Sequence, residues 1–300
     1  MMFTLEWFNE ILWIDSMPRH KIFVTGDSGQ LGSQIMASLQ GYQLISASSH
    51  DFDLANLRAL SEKLDSIRPD IVVNCAAYTA VDQAEQEPER AHAVNADGVG
   101  VLAQWCAHNE CYLAHISTDY VFSGSKPLFE CYSEGDATKP QTVYGKSKLQ
   151  GETNIASVEG LNYCILRTAW LYSASGENFL NKIRNLAESD PSRELKIVHD
   201  QYGSPTPVRA LARQIQVAVD EKLHGLYHAS AGGYCSWFDF ASAAMQQFGI
   251  ECNLKPCSSE EYPTLAQRPK NSILCNRRLA DNKLDTFLNW QDELAAFSNA

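Results

Sequence analysis

The stretch from Lys21 to Leu39 constrains the fold more than any other part of the chain. KIFVT (Lys21–Thr25) is apolar and β-branched, as in a buried parallel strand. It runs straight into GDSGQLG, and a helical pattern follows over Ser33–Leu39. The glycines are spaced G-x-x-G-x-x-G rather than G-x-G-x-x-G. Gly26 is placed to turn the chain off the strand, Gly29 to let backbone approach a pyrophosphate, and Gly32 to let helix and strand pack closely. The helix start then offers unpaired N–H groups and a positive dipole end to phosphate. Gly-rich turns are common, so the spacing alone is a weak signal. Its place after a strand and before a helix is the context that a dinucleotide loop requires.

The rest of the chain repeats that alternation. Strands are expected at Gln43–Ser48, Ile71–Ala77, Cys111–Ser117 and Leu161–Ala169. Helices are expected at Leu54–Ile67, over one long stretch from about Ala84 to His108, and at Tyr144–Ala156. Strands alternating with helices imply a parallel sheet with right-handed crossovers. After about Tyr172 the pattern loosens. Helices are expected at Asn178–Glu188, Val208–Glu221 and Trp237–Phe248, and short strands at Leu195–His199 and Leu226–Ala229. The expected architecture is a Rossmann-type doubly wound α/β sheet with a smaller C-terminal substrate-binding lobe. Residues 21–172 form the dinucleotide-binding domain. Residues 173–300 form mainly the lobe, with some segments returning to the first domain.

Residues 1–20 stand apart. Phe3, Trp7, Ile11 and Ile14 share one helical face, but Glu6, Glu10 and Asp15 interrupt the apolar run. That argues against a signal peptide and against a membrane span. Two readings stay open: an added amphipathic helix, or a biological start at Met17. The net charge of −12 and the absence of any Lys/Arg run disfavour nucleic acid as a partner. Nine cysteines, an odd number with no Cys-x-x-Cys, read as reduced thiols in a cytoplasmic protein. No metal-ligand cluster stands out.

The chemistry is carried by Tyr144 and Lys148 in YGKSK, four apart at a helix start and so on one face. A phenol near pKa 10 is a poor acid–base group at neutral pH, and an adjacent ammonium is expected to lower it. Thr118, in STDY after the fourth strand, is placed to hydrogen-bond the same substrate oxygen. Cofactor choice turns on the end of the second strand. Ser46, Ser48 and Ser49 stand where an acid would select NADH. This leans slightly towards NADPH, while Asp51 and Asp53 keep NADH open.

These residues resemble the extended short-chain dehydrogenase/reductases, and among them the dTDP-4-dehydrorhamnose reductase family. The matching segments are VTGDSGQLG, IRPDIVVNCAAYTAVDQAE, HISTDYVFSG, VYGKSKLQGE, LRTAWLY, DQYGSPT and RPKNSIL, spread over Val24–Leu274. The resemblance implies Thr118, Tyr144 and Lys148 as the catalytic set, with Lys148 also on the nicotinamide ribose. It implies a cofactor site of Gly26, Ser28, Gly29, Gln30, Leu31 and Gly32, with Asp53 and Leu54 near the adenine and Cys75, Ala76 and Ala77 along its path. Cys75 stands where the family often has Ala. Thr118, Asp119 and Trp170 would meet the sugar nucleotide, and Arg268 its diphosphate. Some family members are Mg²⁺-bridged dimers, so Mg²⁺ and a homodimer are implied by resemblance alone. Two rivals remain: another sugar-nucleotide reductase, epimerase or dehydratase of the same fold, and a non-catalytic partner like the regulatory β subunit of methionine adenosyltransferase.

Overall fold

The computed structural model describes residues 20–47 and 52–298. The helix expected at residues 3–14 lies outside them, as do Ser48, Ser49, His50 and Asp51.

Six parallel strands form the central sheet. They are β1 (Lys21–Thr25), β2 (Gln43–Ala47), β3 (Ile71–Asn74), β4 (Tyr112–Thr118), β5 (Tyr163–Thr168) and β6 (Gly225–His228). The spatial order is β6-β5-β4-β3-β1-β2. The chain crosses from β1 to β2 on one side and then returns to place β3 on the other. This reversal leaves a crevice at the C-terminal ends of β1 and β3, where doubly wound sheets bind their ligands.

Alternation along each strand feeds two cores. Ile22, Val24, Ile71, Val73 and Ala114 face one layer, with α1 (Gln30–Ser38) and α5 (Val208–Asp220). Phe23, Val72 and Leu113 face the other, with α2 (Leu57–Ile67) and α3 (Gly98–His108). Strands buried on both faces read as unbroken apolar runs, as IFV and IVV do here. A third cluster gathers Tyr172, Leu180, Ile183, Leu195, Ile197, Phe240 and Trp290 beyond the sheet. Strand β6 pairs in parallel with β5, so the chain leaves the sheet after β5 and comes back to it through α5.

Local signals set the helix ends. Asn56 caps α2 by accepting from the Ala59 amide, and Arg68 closes it in a left-handed conformation just before Pro69. Thr142 caps α4 (Val143–Ala156) by accepting from the Gly145 amide. The single long helix expected from Ala84 to His108 is broken instead. Val81–Ala84 and Pro88–His92 are short helices, and a π-turn over Ala93–Asp97 leads into α3. The π-turn inserts one residue and aims the buried Asn95 at the loop after β3. Asn95 Oδ1 accepts from the Tyr78 amide at 2.8 Å, and its Nδ2 donates to the Tyr78 carbonyl at 3.0 Å. Such turns often mark functional places in helices.

Candidate active site

The Gly-rich loop sits at the end of β1, in the crevice. Gly26 has φ +70°, and a Cβ there would come within 2.9 Å of the Ala76 backbone. A Cβ on Gly32 would land on the Gly26 carbonyl. Both positions therefore need glycine for reasons internal to the fold. Gly29 differs, because the one atom near its absent side chain is the Gly26 carbonyl oxygen, at 3.2 Å. Helix α1 starts at Gly29 without a side-chain cap, which leaves first-turn N–H groups free to bind an anion. Ser28 and Gly29 are exposed there, and Leu31 is buried under the helix. This uncapped, glycine-lined cradle fits a pyrophosphate.

Gln30 ties the cradle to a distant segment. Its Nε2 donates to the Glu177 carbonyl at 3.1 Å, and its Oε1 accepts from Ser173 Oγ at 2.5 Å and Asn178 Nδ2 at 3.0 Å. Cys75, Ala76 and Ala77 leave β3 beside Gly26. Burial pushes the Cys75 thiol up to about 12, with Lys148 pulling the other way. Asp53 opens the turn into α2 by accepting from the Ala55 amide, while Leu54 is buried under Gly98.

The second half of the site lies at the end of β4 and the start of α4. Thr118 closes β4. Its Oγ1 accepts from the Tyr120 amide at 3.2 Å and donates to Asp119 Oδ1 at 3.0 Å. Asp119 is 2% exposed, and its Oδ2 is buried without a well-formed hydrogen bond. Burial raises its carboxyl to about 6, against the pull of the nearby Ser272 and Thr118 hydroxyls. Tyr144 packs edge-on against Tyr120, ring centroids 5.6 Å apart. Burial raises the phenol well above its ordinary value, a hydrogen bond with Thr118 opposes this, and Asp119 and Tyr120 add to the rise.

Lys148 does not lower that phenol as the four-residue spacing suggested. Its Nζ is turned into the protein, donating to the Ile116 carbonyl at 2.7 Å and lying 3.2 Å from His115 Nε2. Burial lowers Lys148 to about 8, and Glu152 and Cys75 act against that. The spacing fixed a shared helix face but not where a long side chain would bend on it.

Arg268 joins three segments that are far apart in sequence. Its Nη2 pairs with Asp82 Oδ2 at 2.6 Å, and its Nη1 donates to the Tyr120 hydroxyl at 3.2 Å. A cleft of about 520 Å³ opens beside it, lined by Tyr120, Gln141, Gln201, Tyr262 and Lys270 among others. Trp170 adopts φ +48°, unusual for a bulky residue, and stacks on Trp237 with centroids 3.5 Å apart and planes 4° from parallel. A left-handed tryptophan held by stacking is strain of the kind found at ligand sites.

Sequence reasoning passed over Asn74, Asp82, Asn95, His115 and Tyr120. Asp82 and Tyr120 stand inside the segments AAYTAVDQAE and STDYVF, so polar residues within those segments were a usable signal. Asn74 and His115 also stand inside matching segments, but within largely apolar strands, where a lone polar residue reads as a satisfied core group. Among the described residues no group of three or more His, Cys, Asp or Glu is placed to hold a metal ion, and no helix is long and apolar enough to cross a membrane.

A family model described as the RmlD substrate binding domain matches residues 20–300. The dTDP-4-dehydrorhamnose reductase of Sinorhizobium fredii is 39% identical over 284 residues, covering 91% of this chain and 94% of that protein. The one from Escherichia coli K12 is 36% identical over 290 residues, covering 90% and 94%. The crystal structure of dTDP-4-dehydrorhamnose reductase from Bacillus anthracis, in complex with NADP, matches with a TM-score of 0.88 at 36% identity. It covers 93% of this chain and 98% of that one.

Proposed function

Because the chain belongs to the RmlD substrate binding domain family, we propose that it reduces the C4 keto group of dTDP-4-dehydro-β-L-rhamnose to give dTDP-L-rhamnose, using NADPH or NADH. The observation that carries this reading is the placement of two half-sites on one edge of the sheet. The uncapped phosphate cradle lies at the ends of β1 and β3, and Thr118, Tyr144 and Lys148 lie at the end of β4 and the start of α4.

The nicotinamide supplies the hydride when bound. Gln30 and Leu31 would hold the pyrophosphate through first-turn N–H groups, with Gly26 and Gly29, whose amide is bonded to the Gly26 carbonyl, letting the backbone come close, Ser28 at the rim and Gly32 keeping α1 close. By the family resemblance, Cys75, Ala76 and Ala77 would flank its path, and Asp53 and Leu54 would lie towards the adenine. Negative charge builds on the C4 oxygen during reduction. Tyr144 donates the proton to it, and the Thr118 hydroxyl, turned away from Asp119 Oδ1, donates a hydrogen bond. The raised pKa of Tyr144 keeps the phenol protonated, the form a donor requires. Lys148, by the family resemblance, would hold the nicotinamide ribose with an Nζ proton that neither the Ile116 carbonyl nor His115 takes. Asp119 has one buried oxygen that makes no well-formed hydrogen bond, suited to accept from a sugar hydroxyl. Arg268 meets the diphosphate while paired with Asp82, and Trp170 borders the sugar.

The lean towards NADPH rests on residues 46–50 and on the NADP complex of the Bacillus anthracis relative. We place the protein in the cytoplasm, since all nine cysteines are free thiols. A homodimer, with or without Mg²⁺, rests on the family resemblance. Light scattering with and without a chelator tests it.

The assay is oxidation of NADPH and NADH by dTDP-4-dehydro-β-L-rhamnose. Turnover with at least one nicotinamide is expected. Tyr144→Phe should lower kcat by about 10²-fold or more while still binding the cofactor. An inactive wild type, or a fully active Tyr144→Phe, refutes the assignment.

A further inference from the structure

Beneath the site a chain of polar side chains crosses the sheet out of reach of solvent. At the end of β1, Thr25 Oγ1 donates to Asn74 Oδ1 at 2.6 Å and accepts from the Ala76 amide at 3.2 Å. At the end of β3, Asn74 Nδ2 lies 2.9 Å from His115 Nδ1. On β4, His115 Nε2 lies 3.2 Å from Lys148 Nζ. Thr25, Asn74 and His115 have no exposed surface, and Lys148 is 2% exposed. Polar groups this deep in a sheet are costly unless each has a partner, so the chain must be satisfied as a whole.

Counting protons shows what it does. With the Thr25 proton on Asn74 Oδ1, the amide nitrogen faces His115 and Nδ1 accepts. A neutral ring then carries its proton on Nε2, aimed at Lys148 Nζ. A free amine has a lone pair to receive that proton, and an ammonium has none. Turning the Asn74 amide over reverses each link. Nδ1–H then donates to Oδ1, and bare Nε2 accepts from the ammonium. The amide orientation, the ring tautomer and the lysine charge are one coupled variable. Neither arrangement requires Nζ to move, because the Ile116 carbonyl holds it from the other side at 2.7 Å.

We propose that His115 is a positioning residue that keeps Lys148 Nζ in one place in both its protonation states, with Asn74 and Thr25 biasing which state is favoured. This rests on the reading of Lys148 as part of a reductase site. Burial holds the His115 ring neutral, and Lys148 near 8 lies within reach of both states. The other groups acting on Lys148 are Cys75 at the end of β3 and Glu152 one turn along α4. Glu152 is itself paired with Arg167 at 2.6 Å.

Thr25→Val is the informative variant, since it leaves Lys148 and His115 untouched. The Thr25 hydroxyl satisfies every group only in the arrangement that favours the free amine. Its loss should release the amide and favour the ammonium. In long-range proton–nitrogen spectra of protein labelled with ¹⁵N-histidine, wild-type His115 should stay neutral. Its proton should pass from Nδ1 to Nε2 as pH rises through about 8, and Thr25→Val should move that change to higher pH. Lys148→Met should abolish the change. A wild-type ring that keeps one tautomer throughout, or that protonates near the usual value of about 6.5, overturns the proposal. So does a change that Thr25→Val leaves in place or moves down.

A kinetic readout supplements this. His115→Gln should lower kcat about tenfold and leave the sugar-nucleotide KM within about twofold, as misplacement of a catalytic group does. Unchanged kcat in a folded His115→Gln overturns the proposal as well. The spectra need no turnover, so a wild type inactive on the sugar nucleotide would sink the assigned reaction without deciding this point.

Discussion

At the scale of single residues, Asp119 shows a site trading stability for chemistry. Its carboxyl titrates near 3.9 in an unfolded chain and is raised to about 6 in the folded one. Between those values the folded state binds more protons than the unfolded state, so stability falls as pH rises through the window. Above it, the charged group is a standing cost. Asp119→Asn removes that cost, and should raise Tm at pH 7.5 by a margin that shrinks towards pH 5. On the role proposed for Asp119, the same change should lower reductase activity, because an amide nitrogen replaces one of its two accepting oxygens. Calorimetry across that pH range checks the first claim, and an unchanged Tm at pH 7.5 contradicts it. Lys148 carries the converse lesson. Its identity and spacing were legible in YGKSK, but its bend towards the Ile116 carbonyl was not. That bend brings it to His115, which stands far off in sequence in a strand otherwise rich in apolar residues.

At the scale of elements, the strand–loop–helix unit was readable because each glycine answers a local need. Gly26 turns the chain with φ +70°, and Gly32 lets α1 lie against that turn. Gly32→Ala pushes a methyl group into the Gly26 carbonyl. It should cost about 1–3 kcal/mol in urea unfolding, as overpacking does, and weaken cofactor binding more than substrate binding. Equal stability with unchanged cofactor affinity would count against the packing role. The long helix expected between Ala84 and His108 was misjudged for a reason of the same kind. Its apolar content suits a helix throughout, but Pro88 starts a new segment and Asn95 draws one extra residue into a π-turn. The pull comes from the Tyr78 backbone, a tertiary partner that no local pattern announces.

At the scale of the whole molecule, the path of the chain decides how its parts hold together. The sheet is not finished at residue 172, since β6 and α5 come from residues 208–228. Val208, Leu211, Ile215 and Val219 supply much of the apolar layer over Ile22, Val24 and Val73. A fragment of residues 20–172 should therefore lack cooperative thermal unfolding and bind no nicotinamide. A fragment that melts sharply would show that the first five strands suffice. Alternating strands and helices made the sheet legible in the sequence. The return of a late strand to it was harder to see, because GLYH is short and carries no sign of its neighbour.

Gln30 also has a bearing on the timing of the reaction. Its amide grips both ends of the segment Ser173–Asn178 at the same uncapped helix start proposed for the phosphates. If the cradle holds the nicotinamide as proposed, spent cofactor would leave no faster than this clasp opens. Product release or lid opening sets the turnover of many enzymes. Gln30→Ala should then speed nucleotide release in stopped-flow traces and remove any pre-steady-state burst, leaving the hydride step itself at its former speed.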